Sequence, residues 1–156
     1  MKYVGLLNSW CQFFDDTYNA NCGGCCYVAY LISNWLDLLS IPYSLVLYDK
    51  FDLDDTDENE IRNNIITRNR SCLPNGCNTV NHYALKVGEY FINAGDYHDN
   101  DSYRELIISG ISSKDIYWMY KTGDWNSLYS PEDNKLISSL VRIFFRNYFT
   151  KNEKED

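Results

Sequence analysis

The feature that most constrains this chain is a pair of glycines followed by a pair of cysteines at the start of an apolar helical pattern. Residues 19–32 read Asn-Ala-Asn-Cys-Gly-Gly-Cys-Cys-Tyr-Val-Ala-Tyr-Leu-Ile. This order predicts a thiol in the first turn of a helix, where backbone N–H groups and the helix dipole favour thiolate over thiol. Because a thiolate is a nucleophile, the stretch predicts a reactive cysteine wherever the chain supplies a base.

Length and charge limit the classes of protein to which the chain can belong. It has 156 residues, a net charge of -8 and 45% apolar residues, which suits one globular domain. We expect that domain over residues 1–150 and a charged tail over 151–156. The acidic balance argues against a nucleic-acid partner. The sequence has neither a signal-peptide pattern nor an apolar run that could span a bilayer, so we expect a cytoplasmic protein with no membrane partner.

The predicted secondary structure is α+β, with a central helix that packs against a small antiparallel sheet. That helix, over residues 25–40, is apolar around most of its girth, which is typical of a helix buried inside a domain. The other expected elements are a helix over 3–15, strands near 43–48, 83–87 and 90–94, a polar helix over 57–69 and a last helix starting at Pro131. The acidic run 49–60 is interpreted as a solvated loop and helix start, and residues 116–121 are expected to pack on the sheet.

A predicted hairpin places a base beside a polar partner. Gly88-Glu89 lies between two alternating segments, as in a two-residue β-turn. This turn would pair Ala84 with Asn93, and alternation would then place His82 and Asn93 diagonally on one face. Together with the helix-start cysteine they form a Cys-His-Asn set, which is a nucleophile, a base and an orienting group for acyl transfer.

These residues carry a family resemblance over residues 19–97. Gly23 to Leu31 resembles the transglutaminase-like core pattern of Gly-x-Cys with Ala four residues on. The text Cys22-Gly-Gly-Cys25 is similar to the nucleophile segment of papain-type peptidases, and Asn81-His82 with its strand is similar to their histidine strand. The resemblance implies a papain-like or transglutaminase-like core, with the N-terminal central helix on a small antiparallel sheet and an additional C-terminal helix.

The resemblance also implies a role for each site residue. Cys25 would be the nucleophile, His82 the general base and then acid, and Asn93 the group that holds the imidazole. The oxyanion hole would use the Cys25 backbone N–H, since it lies at a helix start. Asn19 stands where the papain-type enzymes carry a side-chain donor, and Asn21 is its rival.

Other uses of the cysteines compete with this interpretation. Cys26 is the alternative nucleophile, although the family spacing to Ala29 favours Cys25. A zinc site could be formed by Cys22, Cys25, Cys72 and Cys77. Disulfide bonding of Cys22, or between Cys72 and Cys77, would be another structural use. A thiol oxidoreductase would need a strand directly before the cysteines, and residues 12–21 do not have a strand pattern.

The sequence therefore predicts a cysteine peptidase or related thiol hydrolase that cleaves peptide or isopeptide bonds through an acyl-enzyme. Transglutaminase or deamidase chemistry on the same triad is one alternative, and a catalytically inactive binding module or zinc-stabilised protein is another. The expected partner is a peptide or protein substrate, and the triad implies no cofactor. Richness in Tyr, Asn and Asp is typical of an AT-rich genome, which favours a bacterial or bacteriophage protein. If the protein is viral, we expect it in the host cytoplasm.

Overall fold

The computed structural model describes residues 1–20, 24–50, 56–69, 80–123 and 129–152. Within these residues the chain forms five α-helices and a four-stranded antiparallel sheet, so the α+β prediction is confirmed. The helices are α1 (Lys2–Tyr18), α2 (Cys25–Leu38), α3 (Glu58–Ile66), α4 (Ser113–Thr122) and α5 (Pro131–Asn152). The strands are β1 (Ser44–Asp49), β2 (His82–Val87), β3 (Tyr90–Ile92) and β4 (Arg104–Ile108), in the spatial order β3-β2-β1-β4.

Helix α2 is the central helix that the sequence predicted. Its residues Val28, Ala29 and Leu36 are fully buried, since one side of the helix packs on β2 and another on α4. The helix ends at Leu38, two residues before the predicted boundary, and Ser40 follows in the left-handed region at φ 55°. The expectation that residues 116–121 pack on the sheet is wrong, because α4 packs instead on α2 and α3.

The sheet is built around the predicted hairpin. Val87 pairs with Tyr90 and Leu85 with Ile92, as a two-residue turn at residues 88–89 requires. Gly88 has φ 58°, the positive angle that a turn of this type needs at its first central position. Strand β3 is shorter than predicted, because Asn93 turns into the left-handed region at φ 64° and ends the ladder at Ile92.

The two faces of the sheet have different neighbours. Leu45, Leu47 and Leu85 face α2 and belong to the main core. The opposite face carries a small cluster of buried residues, namely Val46, Tyr48, Ala84 and Ala94. Because side chains alternate along a strand, each position on β1 and β2 belongs to one of these two environments.

In the acidic run 49–60, one residue caps a helix and another is buried at the end of a strand. Asp57 caps α3, and its side chain accepts hydrogen bonds from the backbone N–H groups of Asn59 and Glu60. Asp49, in contrast, is the last residue of β1 and is only 6% exposed. The prediction of a solvated segment is therefore wrong for Asp49, because strand alternation turns it toward the α2 side of the sheet.

Candidate functional site

The start of α2 carries the predicted nucleophile. Cys25 is the first residue of the helix, and Gly24 precedes it as an N-cap that has no side chain to cap the first turn. A Cβ at position 24 would lie 2.0 Å from the hydroxyl oxygen of Tyr129. Any larger residue at position 24 would have to displace the Tyr129 phenol, which covers the helix start directly beside Cys25.

The two adjacent thiols have different environments. Cys26 donates a hydrogen bond from Sγ to the backbone carbonyl of Ile116 at 3.9 Å. Burial raises the pKa of Cys26 well above its ordinary value, and the neighbouring Cys25 raises it further. A thiol that burial keeps protonated is a poor nucleophile. This environment disfavours a thiolate on Cys26, and the choice between Cys25 and Cys26 stays a prediction.

His82 is the first residue of β2 and is fully buried. Its ring stacks on Tyr97 with the centroids 4.4 Å apart and the planes within 4° of parallel. Nε2 makes a short hydrogen bond with the backbone carbonyl oxygen of Asn93. Since a carbonyl oxygen only accepts, Nε2 carries the proton, and Nδ1 holds the lone pair of the neutral ring. Nδ1 is buried and has no hydrogen-bond partner among the described residues.

Asn93 contacts His82, but with its backbone and not with its side chain. The side-chain amide donates to the backbone carbonyl of Tyr83 at 3.4 Å. The backbone N–H donates to Oδ1 of Asn8 at 2.8 Å, and the Asn8 amide donates in turn to Phe91. The predicted pairing of Asn93 with Ala84 is wrong because β3 ends before it. The same left-handed turn presents the Asn93 carbonyl to the imidazole.

His82 and Cys25 lie at the same end of the sheet but face opposite sides of it. His82 is the cross-strand partner of Tyr48, which belongs to the cluster on the face opposite α2. The next residue, Tyr83, points to the other side. Burial raises the pKa of Tyr83 well above its ordinary value, and the thiols of Cys26 and Cys25 raise it further. Tyr83, and not His82, therefore shares the α2 face with the cysteines.

Sequence reasoning missed two buried polar groups on the α2 side at this end of the sheet. One is Tyr83, which neighbours Cys25 and Cys26. The other is Asp49, whose Oδ1 accepts hydrogen bonds from the Asn81 side chain and the Lys50 backbone N–H, both at 2.7 Å. Strand alternation contained the signal, since Asp49 has the parity of Leu47 and Tyr83 has that of Leu85.

The structure describes one of the two predicted side-chain donors of the oxyanion hole. Asn19 is exposed and forms the C-cap of α1 in the left-handed conformation, at φ 51°. Asn21 lies outside the described residues. The backbone N–H of Cys25 belongs to the first turn of α2, where helix geometry gives it no intrahelical acceptor.

The rival cysteine sites fall largely outside the described part of the chain. Cys22, Cys72 and Cys77 are not among the described residues, so the zinc and disulfide hypotheses stay predictions. Cys11, Cys25 and Cys26 are not disulfide-bonded. Within residues 1–20, 24–50, 56–69, 80–123 and 129–152, no group of three or more His, Cys, Asp or Glu side chains could hold a metal ion.

A hollow of about 300 Å³ lies between α1 and the turn after β3. It is lined by Asn8, Cys11, Gln12, Phe91, Asn93, Ala94, Gly95 and His98. Burial raises the pKa of Cys11 to about 12, so its thiol stays protonated at neutral pH. The hollow reaches Asn93, whose backbone carbonyl accepts the hydrogen bond of His82. A molecule bound there would therefore lie beside a residue that contacts His82.

The burial of His82 predicts a pH dependence of stability. Burial lowers the pKa of His82, although the Asn93 carbonyl and the Asp15 carboxylate act in the opposite direction. In the unfolded chain the imidazole takes up a proton at about pH 6.5, the ordinary pKa of histidine. In the folded protein the ring is still neutral at that pH, because its pKa is lower. We therefore expect the free energy of unfolding to fall as the pH is lowered from about 7 through about 6.5, and to level off below the lowered folded pKa.

Urea unfolding at a series of pH values measures this fall. A His82→Gln variant should lose most of the pH dependence above about pH 5, where carboxylates begin to titrate. His98→Gln is the matched control, because its ring is partly exposed and pairs with Glu105. Equal pH dependence in the wild-type protein and the His82 variant would contradict the prediction.

Comparison with known proteins gives no relative for this arrangement. No protein-family model matches the chain, and neither a curated protein nor a solved structure matches it. None of the helices in the described residues is both long and apolar enough to cross a membrane. The function is therefore argued below from the residues of the site alone.

Proposed function

We propose that the chain is a papain-like cysteine hydrolase that cleaves amide bonds in peptides or proteins through a thioester on Cys25. The observation that carries the proposal is the state of His82, a buried imidazole whose Nε2 proton is held by a carbonyl and whose Nδ1 lone pair has no hydrogen-bond partner in the described chain. A general base needs a lone pair of this kind on a neutral ring. The base and the thiol are the first residues of their elements, at the same end of the sheet.

The proposed chemistry has two balanced steps. His82 Nδ1 takes the proton of the Cys25 thiol, and the thiolate attacks the substrate carbonyl carbon, whose oxyanion is held by the Cys25 N–H. The imidazolium then gives its proton to the leaving amine as the C–N bond breaks. Water, deprotonated by His82, hydrolyses the thioester and restores the free thiol. A primary amine in place of water would give transamidation, and a glutamine side chain as substrate would give deamidation.

The mechanism requires the His82 ring to reach the thiol from the opposite face. In the proposal the ring turns about its Cα–Cβ bond toward the end of the sheet and the start of α2, which breaks both its stack with Tyr97 and the Nε2 hydrogen bond to the Asn93 carbonyl. His82 is the first residue of β2 and Asn81 before it is exposed, so this turn occurs at the end of the strand and breaks no pairing between β1 and β2.

A second candidate function is a binding module that uses the same fold without catalysis. The observation that favours it is the separation of Cys25 and His82 on the two faces, together with the enclosure of both side chains. Cys25 is 3% exposed and His82 is fully buried. In this case the His82–Tyr97 stack would serve only to close the end of the second core cluster.

Alkylation distinguishes the two functions. At neutral pH the hydrolase proposal predicts that iodoacetamide modifies Cys25 at least about tenfold faster than Cys11 or Cys26, because only Cys25 would be held as a thiolate. A His82→Ala variant should lose that advantage. The modified residues are mapped by peptide mass spectrometry, and circular dichroism checks that each variant is folded.

Two further variants serve as controls for the alkylation. Cys26→Ala should leave the fast reaction in place, and Cys25→Ala should remove it. Equal rates at all cysteines of the folded wild-type protein, or a fast rate that persists in His82→Ala, would overturn the hydrolase proposal and favour the binding module. Stoichiometric zinc on the purified protein would overturn it as well, since a zinc-bound Cys25 cannot attack a substrate.

A further inference from the structure

Helix α1 is bonded to the end of β3 through one side chain, Asn8. Its Nδ2 donates a hydrogen bond to the backbone carbonyl of Phe91 at 2.9 Å, and its Oδ1 accepts one from the backbone N–H of Asn93 at 2.8 Å. Among the strands that the structure describes, β3 pairs only with β2 and forms an edge of the sheet. Backbone groups on the open side of an edge strand have no partner in the sheet. The Asn8 amide bonds two of them, as a neighbouring strand would.

Asn93 is also the residue that holds the imidazole of His82. Its φ of 64° lies in the left-handed region, which is less favourable for a residue with a Cβ, so contacts have to hold it there. Its carbonyl accepts the hydrogen bond of His82 Nε2, and its side-chain amide donates to the Tyr83 carbonyl at 3.4 Å. Both of these partners belong to β2. The third contact, from Asn8 to the Asn93 N–H, therefore ties the turn to a separate element.

We propose that Asn8 is a positioning residue for His82. By fixing the Asn93 backbone, it keeps the imidazole in its stack with Tyr97, with the proton on Nε2 and the lone pair on Nδ1. This role rests on the proposed function only where it treats that orientation as the resting state of a general base. Because the ring has to leave the Asn93 carbonyl to reach Cys25, the Asn8 contact opposes that turn.

NMR of the His82 side chain measures this role without reference to catalysis. The chain has two histidines, so a His98→Gln variant identifies the Nε2 proton signal of His82. Asn8→Leu keeps a side chain of similar size but removes both hydrogen bonds to β3. We expect the His82 Nε2 proton to exchange with water at least about tenfold faster in this variant, because the carbonyl that holds it is less well fixed. Equal exchange in the two proteins, or no such signal in the wild type, would overturn the proposal.

Gln12 provides the matched control. It lies one turn after Asn8 on α1 and lines the same hollow, but its amide donates to Asp16 at 2.9 Å. Gln12→Leu should therefore leave the exchange of the His82 proton within about a few-fold of the wild-type rate. Equal effects of the two leucine substitutions would contradict the role of Asn8. If Asn8→Leu does not fold by circular dichroism, Asn8→Ala replaces it, because water in the hollow can then reach the freed backbone groups of β3.

Alkylation of Cys25 adds a second measurement. When the Asn8 contact is lost, the His82 ring should turn toward the thiol more often. Iodoacetamide should then modify Cys25 about three- to tenfold faster in Asn8→Leu than in the wild type, with no change at Cys26. Rates that rise together at both thiols would indicate local unfolding and would overturn the positioning role.

The two measurements distinguish a failure of this role from a failure of the proposed chemistry. Faster proton exchange at His82 with an unchanged rate at Cys25 would support the positioning by Asn8 and contradict His82 as the base. Unchanged proton exchange would overturn the positioning by Asn8, whatever the rate at Cys25. In that case the hydrolase proposal still depends on whether His82→Ala removes the fast reaction of the thiol.

Discussion

A Cys25→Ser variant should lose acyl transfer by on the order of 10⁴-fold or more, because the thiolate is the only proposed nucleophile. The assay uses a peptide library with a primary amine as the competing acceptor, and intact mass spectrometry follows the thioester on the protein. Release of free acid, amine conjugates or ammonia then distinguishes hydrolysis, transamidation and deamidation. The same library identifies the preferred acyl group.

Cys26→Ser is the matched control for this loss. Cys26 has no role in the proposed chemistry; its Sγ lies 3.9 Å from the Ile116 carbonyl, and a serine hydroxyl occupies less space than a thiol. We therefore expect acyl transfer to stay within a few-fold of the wild-type rate. Turnover that survives in Cys25→Ser, or that is lost in Cys26→Ser while the variant stays folded, would contradict the assignment of Cys25.

A Phe14→Ala variant should unfold far more easily than the wild type. Phe14 is 1% exposed, on the side of α1 that packs into the main core. Removing a buried phenyl ring costs about 3–5 kcal/mol, from lost transfer free energy and from the cavity left behind. Since a domain of ordinary stability has about 5–15 kcal/mol in total, much of the fold's stability would be lost. Urea unfolding followed by circular dichroism measures the change.

The neighbouring residue provides the comparison. Phe13 is 44% exposed, so Phe13→Ala should cost much less, about 1 kcal/mol or below. Similar losses for the two phenylalanines would mean that α1 does not pack as described.

Local sequence patterns predicted most of the elements, because those elements depend on short-range rules. Residues close in sequence determine the apolar surface around α2, its start at Cys25 and the two-residue turn at 88–89. The packing of α4 on α2 could not be predicted in this way, since it depends on how separate elements assemble. The end of β3 was also missed, because Asn93 adopts a left-handed backbone that an asparagine tolerates but does not require.

The sequence by itself determined that a thiol begins a buried helix and that a histidine begins a strand of an antiparallel sheet, since spacing and alternation define both. Only the tertiary structure decided which face of the sheet α2 covers. Alternation groups His82 with Ala84 and Tyr83 with Leu85, but it does not say which group meets the helix. That choice depends on which face buries more apolar surface against α2, and it places Tyr83 beside the thiols and His82 on the other side. The tertiary structure likewise decided that Asn93 holds the imidazole through its carbonyl, because only the turn out of β3 orients that group.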